Sequence, residues 1–511
     1  MAEQTRTVVI GAGVAGLVTA LRLAHRGHQV TVLESALQPG GKIHTQQVNG
    51  AWIDSGPTVF TMRWVFDEIL RAVGERLEDH LRLQTLPVLA RHFWDDGSQL
   101  DLFADSERSE AAIAEWAGGD EARRFQSFCA RARAVHDALE GPFMRGQRPG
   151  MVELMARLGP SGLGVLGSIG PMRTLWQQMG REFRDPRLQQ LFARYATYCG
   201  SSPWQAPATL MLVAQVEMDG VWSVEGGMTA LSGMLAQLAS ARGARIRLGC
   251  TAQRIVVQQG RVHAVELSTG EVLPADQVLF NGEAAALREG LLGPAVRTAV
   301  PAQPPPRSLS AVTWALHAPL PGVALDRHNV FFCPEYRQEF DDIFLHQRLP
   351  RLPTVYVCAQ DRPAVLAEGR AERALVLVNA PATGDVPTWQ DEDLDTCQAT
   401  VFSYLHRLGL RLPLSSPGMR RHSPRDFHRR FAASGGALYG QATHGWTSIF
   451  SRPGSGTPVQ GLYLAGGSVH PGPGVPMAAL SGQLAAEAML ASPVSTRRSR
   501  LVATSGGMST P

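Results

Sequence analysis

The chain has 511 residues, 44% hydrophobic and 18% charged, with 52 Gly, 34 Pro and a formal net charge of +3. That length exceeds what one simple core serves, so two or three packed regions sharing a large interior are expected, and the composition favours an α/β chain rich in turns over a coiled coil or an unfolded chain. The small charge gives no electrostatic case for nucleic acid, and a mean hydropathy of -0.07 with no stretch near ~20 uninterrupted apolar residues excludes an integral membrane bundle.

Arg6 to Ile10 is a β-branched run that reads as a buried parallel strand, and Gly11-Ala12-Gly13-Val14-Ala15-Gly16 follows it directly. Leu17, Ala20, Leu21 and Ala24 then recur at helical spacing until Arg26-Gly27, and His28 to Leu33 is a second strand ending at Glu34. One βαβ unit is thus spelled out in order. Gly11, Gly13 and Gly16 let the backbone turn tightly and approach a pyrophosphate, to which the helix N-terminus offers free N–H groups. Glu34, 23 residues after Gly11, stands where a carboxylate accepts the adenosine ribose hydroxyls, which argues against a 2′-phosphate. The motif alone leaves NAD and FAD both open. The strand begins within about five residues of Met1, so no signal peptide is expected, and the six scattered cysteines, without a C-x-x-C pair, read as reduced packed thiols and give no metal site.

Pro39-Gly40-Gly41-Lys42 follows, a turn whose paired glycines expose N–H groups and whose lysine is a point charge. It resembles the G-G-basic turn that packs on the dinucleotide in FAD proteins of the amine-oxidase and phytoene-desaturase type, and Asp54-Ser55-Gly56-Pro57-Thr58 fits the stretch that runs back beneath the flavin there. That resemblance turns the choice to FAD and makes Gly41, Lys42, Pro57 and Thr58 contact residues.

Residues 61–220 read as a mainly helical insertion, with apolar spacing at Val65 to Val73 and Leu188 to Ala196. Two greasy stretches, Met151 to Met172 and Ala206 to Val216, are either core or the apolar patch of a lid that dips into lipid. Trp222 to Met228 is expected to open a helix through Ala241. Arg245 to Asn281 alternates as strands with turns at Gln259-Gly260 and Thr269-Gly270. In flavoproteins of this type such a strand, here from Ala252, reads the adenine edge through its main chain, and Asn281 ends the strand nearby. Residues 291–430 are mixed, with strands at Val355 to Ala359 and Ala374 to Val378, a helix at Thr396 to His406 and a linker at Pro301 to Pro306. The tail after Pro493, 496–511 above all, is expected to be disordered.

Gly461-Leu-Tyr-Leu-Ala-Gly-Gly-Ser-Val-His-Pro-Gly-Pro-Gly-Val-Pro-Met477 reads as strand, glycine turn and helix start. Gly466 and Gly467 allow close approach of backbone to the ribityl and pyrophosphate region, and Gly474, Val475 and Met477 begin a helix aimed at the flavin pyrimidine. Gly461, Tyr463, Gly466, Ser468, His470, Pro471, Gly472, Gly474 and Val475 all fit the pattern of the bacterial-type phytoene desaturase family, which the chain resembles over nearly its whole length. Val469 and Pro473 depart from that pattern. Within the family, G-G-S-V-H-P-G is most similar to the purple-bacterial desaturases of hydroxy- or methoxyneurosporene, which act at the 3,4 position of 1-hydroxylated acyclic carotenoids.

The resemblance implies an α/β fold with a discontinuous Rossmann-type FAD domain (1–60, 221–290 and 431–495), the 61–220 lid and a substrate domain at 291–430. It implies FAD as cofactor, a carotenoid substrate, and a cytoplasmic protein peripheral to the cytoplasmic or intracytoplasmic membrane. His470, near the flavin by family analogy, is a candidate base or polar anchor, although a histidine in such a turn is more often a structural hydrogen-bonder; Arg63, Glu225 and His444 are weaker candidates. Phytoene desaturase, a redox-neutral carotenoid isomerase, an amine oxidase and a flavin- or carotenoid-holding escort protein are the alternatives.

Overall fold

The computed structural model describes residues 4–170, 172–364, 369–387, 390–413 and 418–492; the expected disordered tail lies outside them. Five parallel strands run in the order Leu462–Leu464, Gln277–Phe280, Arg6–Ile10, Gln29–Leu33 and Arg245–Arg247. Their segments are β-branched and apolar because both faces are covered. Val9, Val30, Val32 and Leu279 face the helices Val14–His25, Thr229–Ala241 and Val475–Leu490. Val8, Leu33, Val278 and Phe280 face a three-stranded antiparallel sheet, Ala252–Gln258, Arg261–Leu267 and Val272–Pro274. All five strands come from the three segments expected to build the dinucleotide domain, 1–60, 221–290 and 431–495.

A second sheet of seven strands runs Met419–His422, Ser310–Ala318, Glu372–Ala380, Val355–Ala359, His328–Phe331, Val88–Phe93 and Gln99–Phe103. One face packs on the helix Asp391–Arg407 through Val401, Phe402 and Leu405. Residues 88–103 depart from the helical insertion expected for 61–220. Val88–Phe93 pairs in parallel with His328–Phe331, and Phe93 stacks on Phe331 at 4.5 Å, so strand pairing claims a segment of an otherwise mainly helical insertion. A second departure lies at Trp222 to Met228. Trp222–Val224 is a strand against Leu83–Thr85, and the helix starts only at Thr229 because Gly226 and Gly227 hold φ of 81° and 82°. Residues 301–306 carry neither helix nor strand, as expected of a linker.

The helical part of the insertion packs on a stack of Phe125, Phe128, Phe183 and Phe192. Its two greasy stretches part ways. Ala206 to Val216 is core, with Ala206, Met211 and Ala214 fully buried. The helix Met151–Ile169 buries Leu154, Leu158 and Ile169 but leaves Val152 83% and Met155 47% exposed, and it kinks where Gly159 takes a φ of 62° before Pro160. No helix among the described residues is long and apolar enough to cross a membrane.

Candidate dinucleotide and flavin site

The first strand runs into Gly11, whose φ of 101° is the left-handed conformation that favours glycine. A side chain at Gly16 would stand 2.2 Å from the Gly11 carbonyl oxygen, so loop and helix touch backbone to backbone there. The helix Val14–His25 that follows has Gly13 as N-cap, no side-chain cap and no acidic residue in its first turn. Elsewhere the chain closes helix starts with Asp105, Thr174 and Asp185. The Gly16 N–H is taken by Asn281, which leaves the Val14 and Ala15 N–H groups at the C-terminal edge of the parallel sheet to suit an anionic pyrophosphate.

Glu34 is 8% exposed and accepts hydrogen bonds from the Ala12 N–H at 2.8 Å and the Ala36 N–H at 2.9 Å. It therefore braces the glycine loop in addition to offering its remaining lone pairs to a ribose. The chain passes Glu34 again at Cys250, whose N–H donates to the Glu34 carbonyl at 2.8 Å, two residues before Ala252. Gly41 fits against Gly13, where a side chain at Gly41 would sit 3.2 Å from the Gly13 Cα. The neighbouring Lys42 is held by two partners of the chain itself. Its Nζ donates to Glu283 and to the Leu438 carbonyl, both at 2.7 Å, so its charge clamps three segments together.

Asn281 is the hinge pin of the cleft. Its Oδ1 accepts from the Gly16 N–H at 3.0 Å and its Nδ2 donates to the Ala465 carbonyl at 2.9 Å, tying the first helix to the end of the Leu462–Leu464 strand. Beyond that strand the Gly466 N–H donates to Ser481 at 3.1 Å. The helix Val475–Leu490 begins at Gly474 with a φ of 112°, again without a side-chain cap or a first-turn acid, and Val475 and Met477 lie in its first turn. A second uncapped helix thus faces the cleft from the other end of the chain. Sequence reasoning missed Arg452, which is 3% exposed and donates to the carbonyls of Tyr439 (3.2 Å), Gln441 (2.8 Å) and Gly467 (3.0 Å). Burial pushes its guanidinium down to about 10. Nothing in the local sequence marks it, because its partners are all main-chain carbonyls.

The 54–58 stretch lines the floor. Asp54, raised by burial, accepts from the Met228 N–H at 2.9 Å, and Thr58 exchanges a 2.8 Å hydrogen bond with the Tyr356 hydroxyl, beside Pro57. His470 is 2% exposed and its Nε2 stands 3.0 Å from the Gly146 carbonyl, with the ring edge-on to Phe143 at 4.8 Å. Burial pushes it down to about 4, so it is neutral, Nε2–H donates, and Nδ1 has no partner. It fixes the glycine turn to the insertion. Of the weaker candidates, Arg63 pairs with Asp67 and Glu78, the Glu225 side chain is exposed, and His444 accepts from the Ser202 N–H at 3.3 Å, so the structure does not gather these three into one site. All six cysteines are free. Burial raises Cys358 to about 11 and Cys397 to about 12, which keeps these thiols unreactive. Among the described residues no group of three His, Cys, Asp or Glu could hold a metal.

The family model described as flavin containing amine oxidoreductase matches residues 14–490. The chain is 54% identical to a hydroxyneurosporene desaturase of Rubrivivax gelatinosus, over 100% of this chain and 98% of that one. It is 42% identical to the enzyme of the same name from Cereibacter sphaeroides (96% and 99% covered) and 32% identical to a zeta-carotene-forming phytoene desaturase of Myxococcus xanthus (95% and 94%). Among solved structures, an oxidoreductase from Methanosarcina mazei aligns with a TM-score of 0.59 at 16% identity (94% of this chain, 100% of that one), and putrescine oxidase bound to putrescine with 0.57 at 14% (96% and 100%). These two show the fold alone. Two uncapped helices, a glycine cradle and a full-length match converge: the chain belongs to the flavin containing amine oxidoreductase family, among its carotenoid desaturases, and is an FAD-dependent oxidoreductase.

Proposed function

We propose that this chain removes two hydrogens across C3–C4 of an acyclic carotenoid that carries oxygen on C1. The likeness to three hydroxyneurosporene desaturases over at least 96% of this chain carries the proposal. Bound FAD supplies the two-electron acceptor that abstraction from an unactivated hydrocarbon needs. The protein holds and orients. Gly11, Gly13, Gly16 and Gly41 with the open N–H groups of Val14–His25 would hold the pyrophosphate, Glu34 and the main chain at Ala252 the adenosine, and Gly466, Gly467 and the start of Val475–Leu490 the flavin end. Asn281 fixes the spacing between the two grips, and Pro57 and Thr58 close the floor. His470, neutral and held by Gly146, acts as the strut that seats the insertion on the turn.

The substrate is insoluble in water, and the exposed Val152, Met155 and Leu163 of Met151–Ile169, with Arg145, Arg148 and Arg157 exposed nearby, offer a surface that a lipid headgroup region would receive. The test is anaerobic mixing of FAD-loaded protein with liposomes containing 1-hydroxyneurosporene, following flavin absorbance and product chromatography. Bleaching of the flavin with a 3,4-desaturated product is expected. Conversion of phytoene with the hydroxylated polyene untouched would instead identify a phytoene desaturase, the reading that the Myxococcus relative favours.

A further inference from the structure

Behind Thr58 the interior holds a guanidinium that tyrosines surround, with Tyr198 as its hydrogen-bond partner and, among the described residues, no carboxylate paired to it directly. Arg194, in the turn Arg194–Cys199 after the helix Pro186–Ala193, is enclosed by protein on all sides. Its Nε has no hydrogen-bond partner, although the guanidinium is hydrogen-bonded to Tyr198, and among the described residues no ion pair within 4.0 Å involves it. Its Cζ lies 5.9 Å from the ring centroids of both Tyr198 and Tyr356. The nearest acids are satisfied by neutral donors. Glu217 accepts from the Tyr195 hydroxyl at 2.7 Å, and Glu339 accepts from the Thr354 N–H at 3.1 Å and Asn379 at 2.9 Å.

Arg194, Tyr198, Tyr356 and Tyr439 are all deeply enclosed, yet each keeps an intermediate accessible surface. Enclosed side chains with open surface line an internal hollow. That hollow borders the flavin end of the cleft on two sides. Tyr356 is bonded to Thr58 of the floor, and the Tyr439 carbonyl shares Arg452 with the Gly467 carbonyl.

A guanidinium has five N–H donors, more than Tyr198 can take, so inside a cavity meant for a hydrocarbon the rest suit a ligand that brings an acceptor. Resting on the reading above, we propose that Arg194, flanked by Tyr198 and Tyr356, takes the oxygen on C1 of the carotenoid and so selects which end of the polyene meets the flavin. C1 is two bonds from C3 and three from C4, so a group that reads it must lie beside the reacting carbons, which is where the hollow meets the floor. A guanidinium donates to any oxygen lone pair, so a 1-methoxy end is accepted as readily as a 1-hydroxy end. No covalent step is involved.

The test compares FAD-loaded wild type with Arg194→Met, which keeps bulk and removes charge and donors, on liposomes carrying 1-hydroxyneurosporene, with neurosporene, which lacks the oxygen, as competitor. In wild type the unoxygenated polyene should compete poorly. In Arg194→Met the kcat/KM for the oxygenated substrate should fall at least tenfold, chiefly through KM, and the two polyenes should compete equally. A preference for the oxygenated polyene that survives in Arg194→Met overturns the role of Arg194 and leaves the desaturase reading standing. Wild type that leaves 1-hydroxyneurosporene unconverted removes the desaturase reading itself. Should Arg194→Met lose its flavin, Arg194→Gln carries the same comparison with the same two outcomes.

Discussion

Glu34 braces the glycine loop through Ala12 and Ala36 and, in the proposed cofactor grip, also holds the adenosine. Hydrogen bonds to a charged acceptor contribute about 1.5–3 kcal/mol each. Glu34→Ala should therefore lower FAD affinity at least tenfold, read as the flavin-to-protein absorbance ratio after gel filtration; an unchanged ratio would remove Glu34 from the cofactor grip. His470 has a pH signature. Its folded-state value is about 4 against an ordinary 6.5, so the unfolded chain takes up a proton that the folded chain refuses. Its contribution to stability is then complete above about pH 6.5 and is lost at about 1.4 kcal/mol per pH unit as pH falls toward 4. Denaturant melts of wild type and His470→Gln should diverge over that window, the wild type losing more. A difference flat with pH would mean that His470 is protonated in the fold. The glycines and Glu34 were legible in sequence because fixed spacing within one βαβ unit defines them. Arg452 and Arg194 were not, since Arg452 bonds main-chain carbonyls, which no residue type marks, and Arg194 meets Tyr356 only through the tertiary fold.

At the scale of elements, two helices decide different things. The last helix, Val475–Leu490, lies so close to the first that a side chain at Gly482 would meet the Ala15 carbonyl oxygen at 2.3 Å, and the Thr19 hydroxyl donates to the Gly482 carbonyl at 2.8 Å. Gly482→Ala must push the helices apart, at about 1–3 kcal/mol by the usual overpacking cost. Equilibrium denaturation should register that loss together with weaker FAD retention, because both uncapped helix starts shift. The helix Met151–Ile169 should govern membrane contact instead. Val152→Asp with Met155→Asp is expected to cut co-sedimentation with anionic liposomes severalfold while FAD content and the melting temperature stay at wild-type values. Equal sedimentation of both proteins would place the contact elsewhere. The sequence marked this stretch as apolar, either core or lid, but not which of its residues are exposed, because only packing shows which of them lack neighbours. The 88–103 segment was misread for a related reason, since its strand character is set by the partner strand His328–Phe331.

For the molecule as a whole, the proposed cofactor cleft joins the two ends of the chain, with Gly11–Gly16 on one side and Gly466–Val475 on the other, tied through Asn281. FAD that binds only the folded chain should stabilise it by about 2.7 kcal/mol at a free concentration one hundred times Kd. Stripping the flavin should lower the melting temperature, and adding FAD back should restore it in proportion to the logarithm of its concentration; a melting temperature indifferent to FAD would contradict the two-ended grip.

What the sequence determined by itself was the dinucleotide unit, the glycine turn near the C-terminus and the return of the chain to one parallel sheet. Those features are local, since a tight turn, a parallel strand or a helix start is specified by residues a few positions apart. Tertiary structure alone decided that Lys42 joins Glu283 and the Leu438 carbonyl, that His470 is a neutral strut, that Ala206 to Val216 is core while Val152 and Met155 face outward, and that Arg194 stands without an ion pair. Each of those depends on what the folded chain places, or fails to place, within hydrogen-bonding distance of a side chain, and that information is spread over the entire 511 residues.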